Sequence, residues 1–177
     1  MKRRHLWAVA VATVAALGIS AATIASPPQN YVAPLSGGAE RPVPRETQAR
    51  GVGIFQVAPD GQSISYRLIA SNIENVTMAH IHLGPEDGAG GIVVWLYPST
   101  DARSALPGGG GRHNGVLATG TIEQGDLVGA LAGMPLSALI DHLAAGNAYV
   151  NVHTNDDMAP PNTGPGDFPG GEIRGQL

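Results

Sequence analysis

The feature that most narrows what this chain can become is its punctuation: short apolar runs set apart by clusters of glycine and proline. The sequence holds 25 glycines and 14 prolines. Runs broken this often suit an all-β domain with many turns and exclude a helical bundle. The clearest case is "GVGIFQVAPDGQSISYRLIASNI", residues 51–73. Val52, Ile54 and Gln56 fall on one face of a strand and Phe55 and Val57 on the other. "PDGQ" then supplies a turn, and Ile64, Tyr66 and Leu68 alternate with Ser63, Ser65 and Arg67, so the segment predicts a hairpin.

Further strands are expected over 31–35, 76–83, 92–97, from Val116 onward, 148–154 and 172–177. Turn-rich connections fill 36–50, 84–91, 98–115 and 155–171. One helix is predicted in "PLSALIDHLAAGN", residues 135–147, where Leu136, Leu139, Ile140 and Leu143 recur at helical spacing and Gly146 ends the run. No repeat of 20 to 50 residues is visible. The order fits an antiparallel β-sandwich or barrel, immunoglobulin-like or superoxide-dismutase-like, with one short helix.

Residues 1–25, "MKRRHLWAVAVATVAALGISAATIA", read as a signal peptide. A basic start (Lys2, Arg3, Arg4) precedes an apolar run and then small residues, with Thr23-x-Ala25 or Ser20-x-Ala22 suited to cleavage. The competing reading is a retained anchor, since Leu6 to Ala25 approaches the length of a membrane span. Its richness in Ala, Gly, Ser and Thr over Leu and Ile favours cleavage. The expected protein is secreted or periplasmic, with a short lead-in at 26–30 and one domain over 31–177. Cysteine is absent, so neither a disulfide nor a lipidated cysteine is available.

The chain carries 10 Lys and Arg against 14 Asp and Glu, and the leader removes three of the basic residues, leaving seven against fourteen, or −7. A surface of that sign argues against nucleic acid and anionic membrane as partners. No phosphate-binding glycine loop with its lysine, no G-x-S-x-G turn and no cysteine nucleophile is present. Binding is therefore favoured over turnover.

Two strands carry the histidines that matter. In "VTMAHIHL" the alternation puts Val76, Met78, His80 and His82 on one face and Ala79, Ile81 and Leu83 on the other. The second set is apolar and faces the core, so His80 and His82 project outward together, Cα atoms roughly 6.5 Å apart at about 3.3 Å per residue. In "AYVNVHT", Ala148, Val150 and Val152 form the apolar face, while Tyr149, Asn151 and His153 share the other. If the strands are neighbours, three imidazoles meet above the sheet. Such a set suits copper or zinc, and the thioether of Met78 or Met158 tilts the choice toward copper. His113, in the glycine-rich loop, is a fourth candidate. The alternative is that these are ordinary solvated histidines, as His142 beside Asp141 on the helix is expected to be. His5 falls in the leader.

Four motifs in order, "LSGGAERPVP", "AHIHLG", "AGNAYVNVHT" and "GGEIRGQL", resemble the CHRD domain, named from chordin, over about Tyr31 to Leu177. The resemblance implies an exported single domain and leaves the biochemical role open. A looser resemblance is to copper–zinc superoxide dismutases, in the order "HIH", "RHN", "VHT". It implies His80, His82 and His153 as copper ligands and His113 as a ligand from the long loop. The loop lacks the several histidines of a bridged zinc site, and the structural disulfide has no cysteine.

Around the site, Glu40 is either an outer partner to a histidine or a turn-stabilising carboxylate. Asn151 either orients His153 or bonds across the sheet, and Arg174 either guides an anion or pairs with Glu172. Asp156, Asp157 and Asp167 could hold calcium, but their spacing is that of a solvated acidic loop. The sequence thus supports three readings: a mononuclear copper-binding protein for binding, storage or delivery; a metal-free extracellular interaction module with a protein partner; and a copper-dependent redox enzyme.

Overall fold

In a computed structural model of the protein, residues 29–98 and 110–177 are described. The expected signal peptide, His5, most of the lead-in and residues 99–109 of the long loop lie outside them. The elements run β1 (Asn30–Ser36), β2 (Arg50–Val57), β3 (Ile64–Glu74), β4 (Val76–Leu83), β5 (Ile92–Tyr97), β6 (Arg112–Ile122), α1 (Leu136–Ala144), β7 (Ala148–Thr154) and β8 (Ile173–Gln176). All pairings are antiparallel, in the spatial order β5-β4-β7-β8-β1-β2-β3-β6. The end strands β5 and β6 approach each other, so one eight-stranded sheet curls into a nearly closed barrel rather than splitting into two layers.

The expected hairpin is β2–β3. Asp60 accepts a hydrogen bond from the Gln62 amide at 3.0 Å, and Gly61 takes φ +69, the left-handed conformation that a tight turn asks of glycine. Phe55, Val57, Ile64, Tyr66 and Leu68 all turn inward and are buried, as their alternation requires. Leu136, Leu139 and Leu143 of α1 join the same core, and Gly146 (φ +65) follows the helix end.

One boundary differs from the sequence reading. β6 begins at Arg112, so residues 112–115 are strand rather than loop. β3 extends to Glu74, and that length gives Arg112 and His113 partners, with Ile73 opposite His113 and an Arg112–Glu74 ion pair at 3.0 Å. Among the described residues, no helix is long and apolar enough to cross a membrane.

What positions the site is the β4–β7 register. Met78 lies opposite His153, His80 opposite Asn151 and His82 opposite Tyr149. The inward face of this pair, Ala79, Ile81, Val150 and Val152, is fully buried in the barrel. The histidine face points out of the barrel, as expected.

Candidate metal centre

The outward face is not solvated. His80 is 1% exposed, His82 8% and His153 7%. Two connections cover it. The β4–β5 connection brings the Gly90 carbonyl to 2.9 Å from His82 Nδ1, and the β7–β8 connection brings the Pro169 carbonyl to 2.9 Å from His153 Nδ1. β5 adds Trp95 edge-on to His80, ring centroids 4.2 Å apart at 87°, and Tyr149 stacks on His82 at 4.9 Å and 6°. A strand face that alternation marks as exterior is therefore a second, polar interior.

The carbonyl contacts set the tautomers. A carbonyl only accepts, so each Nδ1 carries the proton and donates, which leaves Nε2 of His82 and of His153 as the acceptor nitrogen of its ring; with the His153 ring in this tautomer the Asn151 amide turns over to present its N–H to Nε2. His153 Nε2 lies 3.3 Å from His80 Nδ1 and 3.0 Å from Asn151 Oδ1. His82 Nε2 is buried and makes no hydrogen bond of acceptable geometry, although the nearby Asn151 side chain favours the protonated ring. One ring nitrogen from each of the three histidines lies within 4.8 Å of the other two. Two nitrogens bound at about 2.0–2.1 Å to one ion sit roughly 3.3–3.6 Å apart. The His80–His153 pair already has that spacing, and His82 needs a small ring movement to join. The donor set fits a metal ion.

Electrostatics keep the rings ready. Burial pushes the His153 pKa down to about 4, against the opposing hydrogen bond to Pro169, with His82 adding to the depression. Burial also lowers His82, opposed by the Gly90 and Asn151 contacts and reinforced by the charge of Arg174. His153 is thus neutral well below pH 6.5 and His82 is shifted in the same direction, so proton competition for a metal sets in at lower pH than an ordinary histidine would give.

The other candidates fall as follows. Asn151 stands in front of His153 Nε2, on the metal side of the ring. Arg174 does not pair with Glu172. It is 2% exposed and donates to the carbonyls of Gly88 (2.6 Å) and Pro85 (2.8 Å) and to Gln176 Oε1 (3.2 Å), holding the loop that anchors His82. Glu172 is instead bound by Thr47, Thr154 and the Gly166 amide. Glu40 is 3% exposed; burial raises its carboxyl to about 7, with Arg174, the Arg41 backbone amide and Arg45 opposing. Met78 is half-buried beside the site, whereas Met158 is exposed. His113, on β6, contacts the Gly115 carbonyl at 3.3 Å and is not in the histidine group. Asp167 is buried and accepts from Thr163, and Asp156 and Asp157 sit in the loop; among the described residues no three acidic groups converge.

Sequence reasoning missed Gly90, Pro169 and Trp95. The first two act through backbone carbonyls, which carry no residue signature. Trp95 could have been found once "IVVWLY" was placed in register beside "HIH", since the two pair directly at His80.

A barrel-like antiparallel sheet with three buried histidines on its outer face defines an all-β domain with a candidate metal centre. The chain belongs to the CHRD family: the CHRD domain matches residues 31–177, nearly its whole length. No curated protein and no solved structure matches it.

Proposed function

We propose that this CHRD-domain protein is exported and holds a single copper ion on His80, His82 and His153, for binding, storage or delivery. The observation that carries the reading is the convergence of three buried ring nitrogens within 4.8 Å, two of those rings anchored by backbone carbonyls. That is the second-layer arrangement in which ligating histidines are usually held. The basic-then-apolar leader supports export. In this reading Gly90 and Pro169 fix ring orientation, and Asn151 gives up its contact with His153 Nε2 to the ion while its side chain still closes that flank of the site.

The test is titration of the untagged chain with copper, once with ascorbate and once without, counting bound metal after gel filtration. One equivalent in either condition, lost in His82→Ala and kept in His142→Ala, is the expected result. No stoichiometric uptake in either condition would overturn the proposal.

A specific observation favours a second reading, the interaction module. Pro34, Val52, Ile69 and Val116 lie in register across β1, β2, β3 and β6 on the barrel exterior, with Val116 exposed. Contiguous apolar residues on an outer sheet face suit a protein partner. Substituting Val52 and Ile69 by threonine would then abolish co-purification of that partner and leave the histidine site intact.

A further inference from the structure

Resting on the reading of His80, His82 and His153 as a metal centre, we infer that the ion it selects is soft and monovalent, Cu(I) or its redox-inert counterpart Ag(I), in preference to Cu(II) or Zn(II).

The argument begins with charge. The group contains no carboxylate or thiolate, so bound metal keeps its full formal charge in a buried place. The Born cost of burying an ion scales with the square of its charge, about fourfold more for a dication than for a monocation of similar size. Among the described residues, the formal charge that acts on His82 is that of Arg174, and it is positive. Arg174 cannot turn away, because its guanidinium is held by Gly88, Pro85 and Gln176 and lies over the Tyr149 ring. Two acids act on Arg174: Glu40, which burial itself pushes toward its neutral form, and Glu86, the weaker of the two, which is exposed and screened by solvent.

Coordination points the same way. A divalent ion on three neutral imidazoles normally completes its shell with water or hydroxide in an open position. Here the space in front of the rings is walled by the Asn151 amide, 3.0 Å from His153 Nε2, and by the Trp95 ring against His80. Three nitrogens in such a wall satisfy a three-coordinate monovalent ion. A further neighbour is soft. Met78 lies directly opposite His153 in the register and is half-buried, and its thioether favours Cu(I) over harder ions.

The experiment compares ions on the wild-type full chain. Cu(I) affinity is measured anaerobically against a colorimetric Cu(I) chelator, Ag(I) by competition with Cu(I), and Cu(II) and Zn(II) by calorimetry. The expected result is one equivalent of Cu(I) and of Ag(I), bound about a hundredfold or more tighter than Cu(II) or Zn(II). Arg174→Gln should narrow that gap about tenfold by removing the fixed positive charge. Cu(II) or Zn(II) binding as tightly as Cu(I) overturns the inference while leaving the metal centre in place. Failure of all four ions to bind overturns both. Because wild-type selectivity decides the matter, a variant that misfolds does not rescue it.

Discussion

The guanidinium carbon of Arg174 lies 3.5 Å from the centroid of the Tyr149 ring, and the other partner of that ring is the imidazole of His82, parallel to within 6°. A cation, a phenol and a candidate ligand thus form one stack on the outer face of the sheet. The same guanidinium ties down the 84–91 loop through Pro85 and Gly88. The last strand of the barrel therefore sets the position of a histidine on its fourth.

Arg174→Met should detach that loop. Two partly buried carbonyls lose charge-assisted donors, which predicts a loss of about 1–3 kcal/mol in denaturant-derived stability. Hydrogen exchange should quicken selectively over 84–91. Arg174→Lys should recover less than half of the loss, because an ammonium cannot reach two carbonyls while stacking flat on Tyr149. Unchanged exchange in Arg174→Met would refute the assignment of this residue as the loop's anchor.

Gly90 tests the carbonyl anchor from the other side. A Cβ built there lands on the Leu83 carbonyl oxygen, so the loop must lift in Gly90→Ala and take its own carbonyl away from His82 Nδ1. Loss of such an orienting contact typically weakens metal binding about 10–100-fold. The measurement is copper affinity, with far-ultraviolet circular dichroism to show that the sheet persists. Wild-type affinity in a folded Gly90→Ala protein would count against tautomer control by this carbonyl.

Trp95 should report occupancy. Its ring centroid is 4.2 Å from that of His80, within range for a paramagnetic or heavy ion to quench emission. The chain has two tryptophans, and the other, Trp7, lies in the expected leader. Copper should therefore quench most of the emission with a break at one equivalent. Trp95→Phe should abolish the response, His113→Ala should leave it unchanged, and His153→Asn should remove the break.

Much of this architecture was legible in the chain because strand alternation is a local property. Val150 and Val152 face in, and Asn151 and His153 face out, for the same geometric reason in the sequence as in the barrel. The hairpin around Gly61 and the helix ended near Gly146 were legible on similar grounds. What was not legible was the covering of the outward face. His82 and His153 are each covered by a chain segment whose backbone carbonyl makes the hydrogen bond, and the segment over His82 is placed by Arg174 far along the sequence. His113 was misplaced because β6 begins in a stretch with no apolar alternation, extended by pairing with Ile73 and Glu74.

Metal retention should outlast ordinary histidine titration. The free site has His153 depressed to about 4 and His82 depressed as well, so protons compete poorly with the ion until the pH falls well below 6.5. Bound copper should remain stoichiometric at pH 5.5 and be released on approach to pH 4, followed by the Trp95 signal. Half-release near pH 6.5 would mean that the rings are more hydrated than their burial indicates.

Stability of the metal-free protein should depend on pH through two opposed groups. His153 has a folded pKa of about 4 against an ordinary 6.5, so between those values the unfolded chain binds more protons and stability falls as the pH is lowered. The full span amounts to about 3 kcal/mol. Glu40 has a folded pKa of about 7 against 4.5; there the folded chain binds more protons, and stability falls as the pH is raised from 4.5 to 7. The two slopes offset each other in the wild type, with His82 leaving a modest net sensitivity to acid. Glu40→Gln removes one side of the balance. It should be more stable than the wild type at pH 8, by up to about 3 kcal/mol, because a buried carboxylate no longer has to ionise. It should also become plainly acid-sensitive between pH 6.5 and 4.5. Urea midpoints across that range decide the matter: a Glu40→Gln protein that is less stable at pH 8 would mean that the ionised carboxylate and Arg174 hold each other favourably, and that burial does not govern this acid.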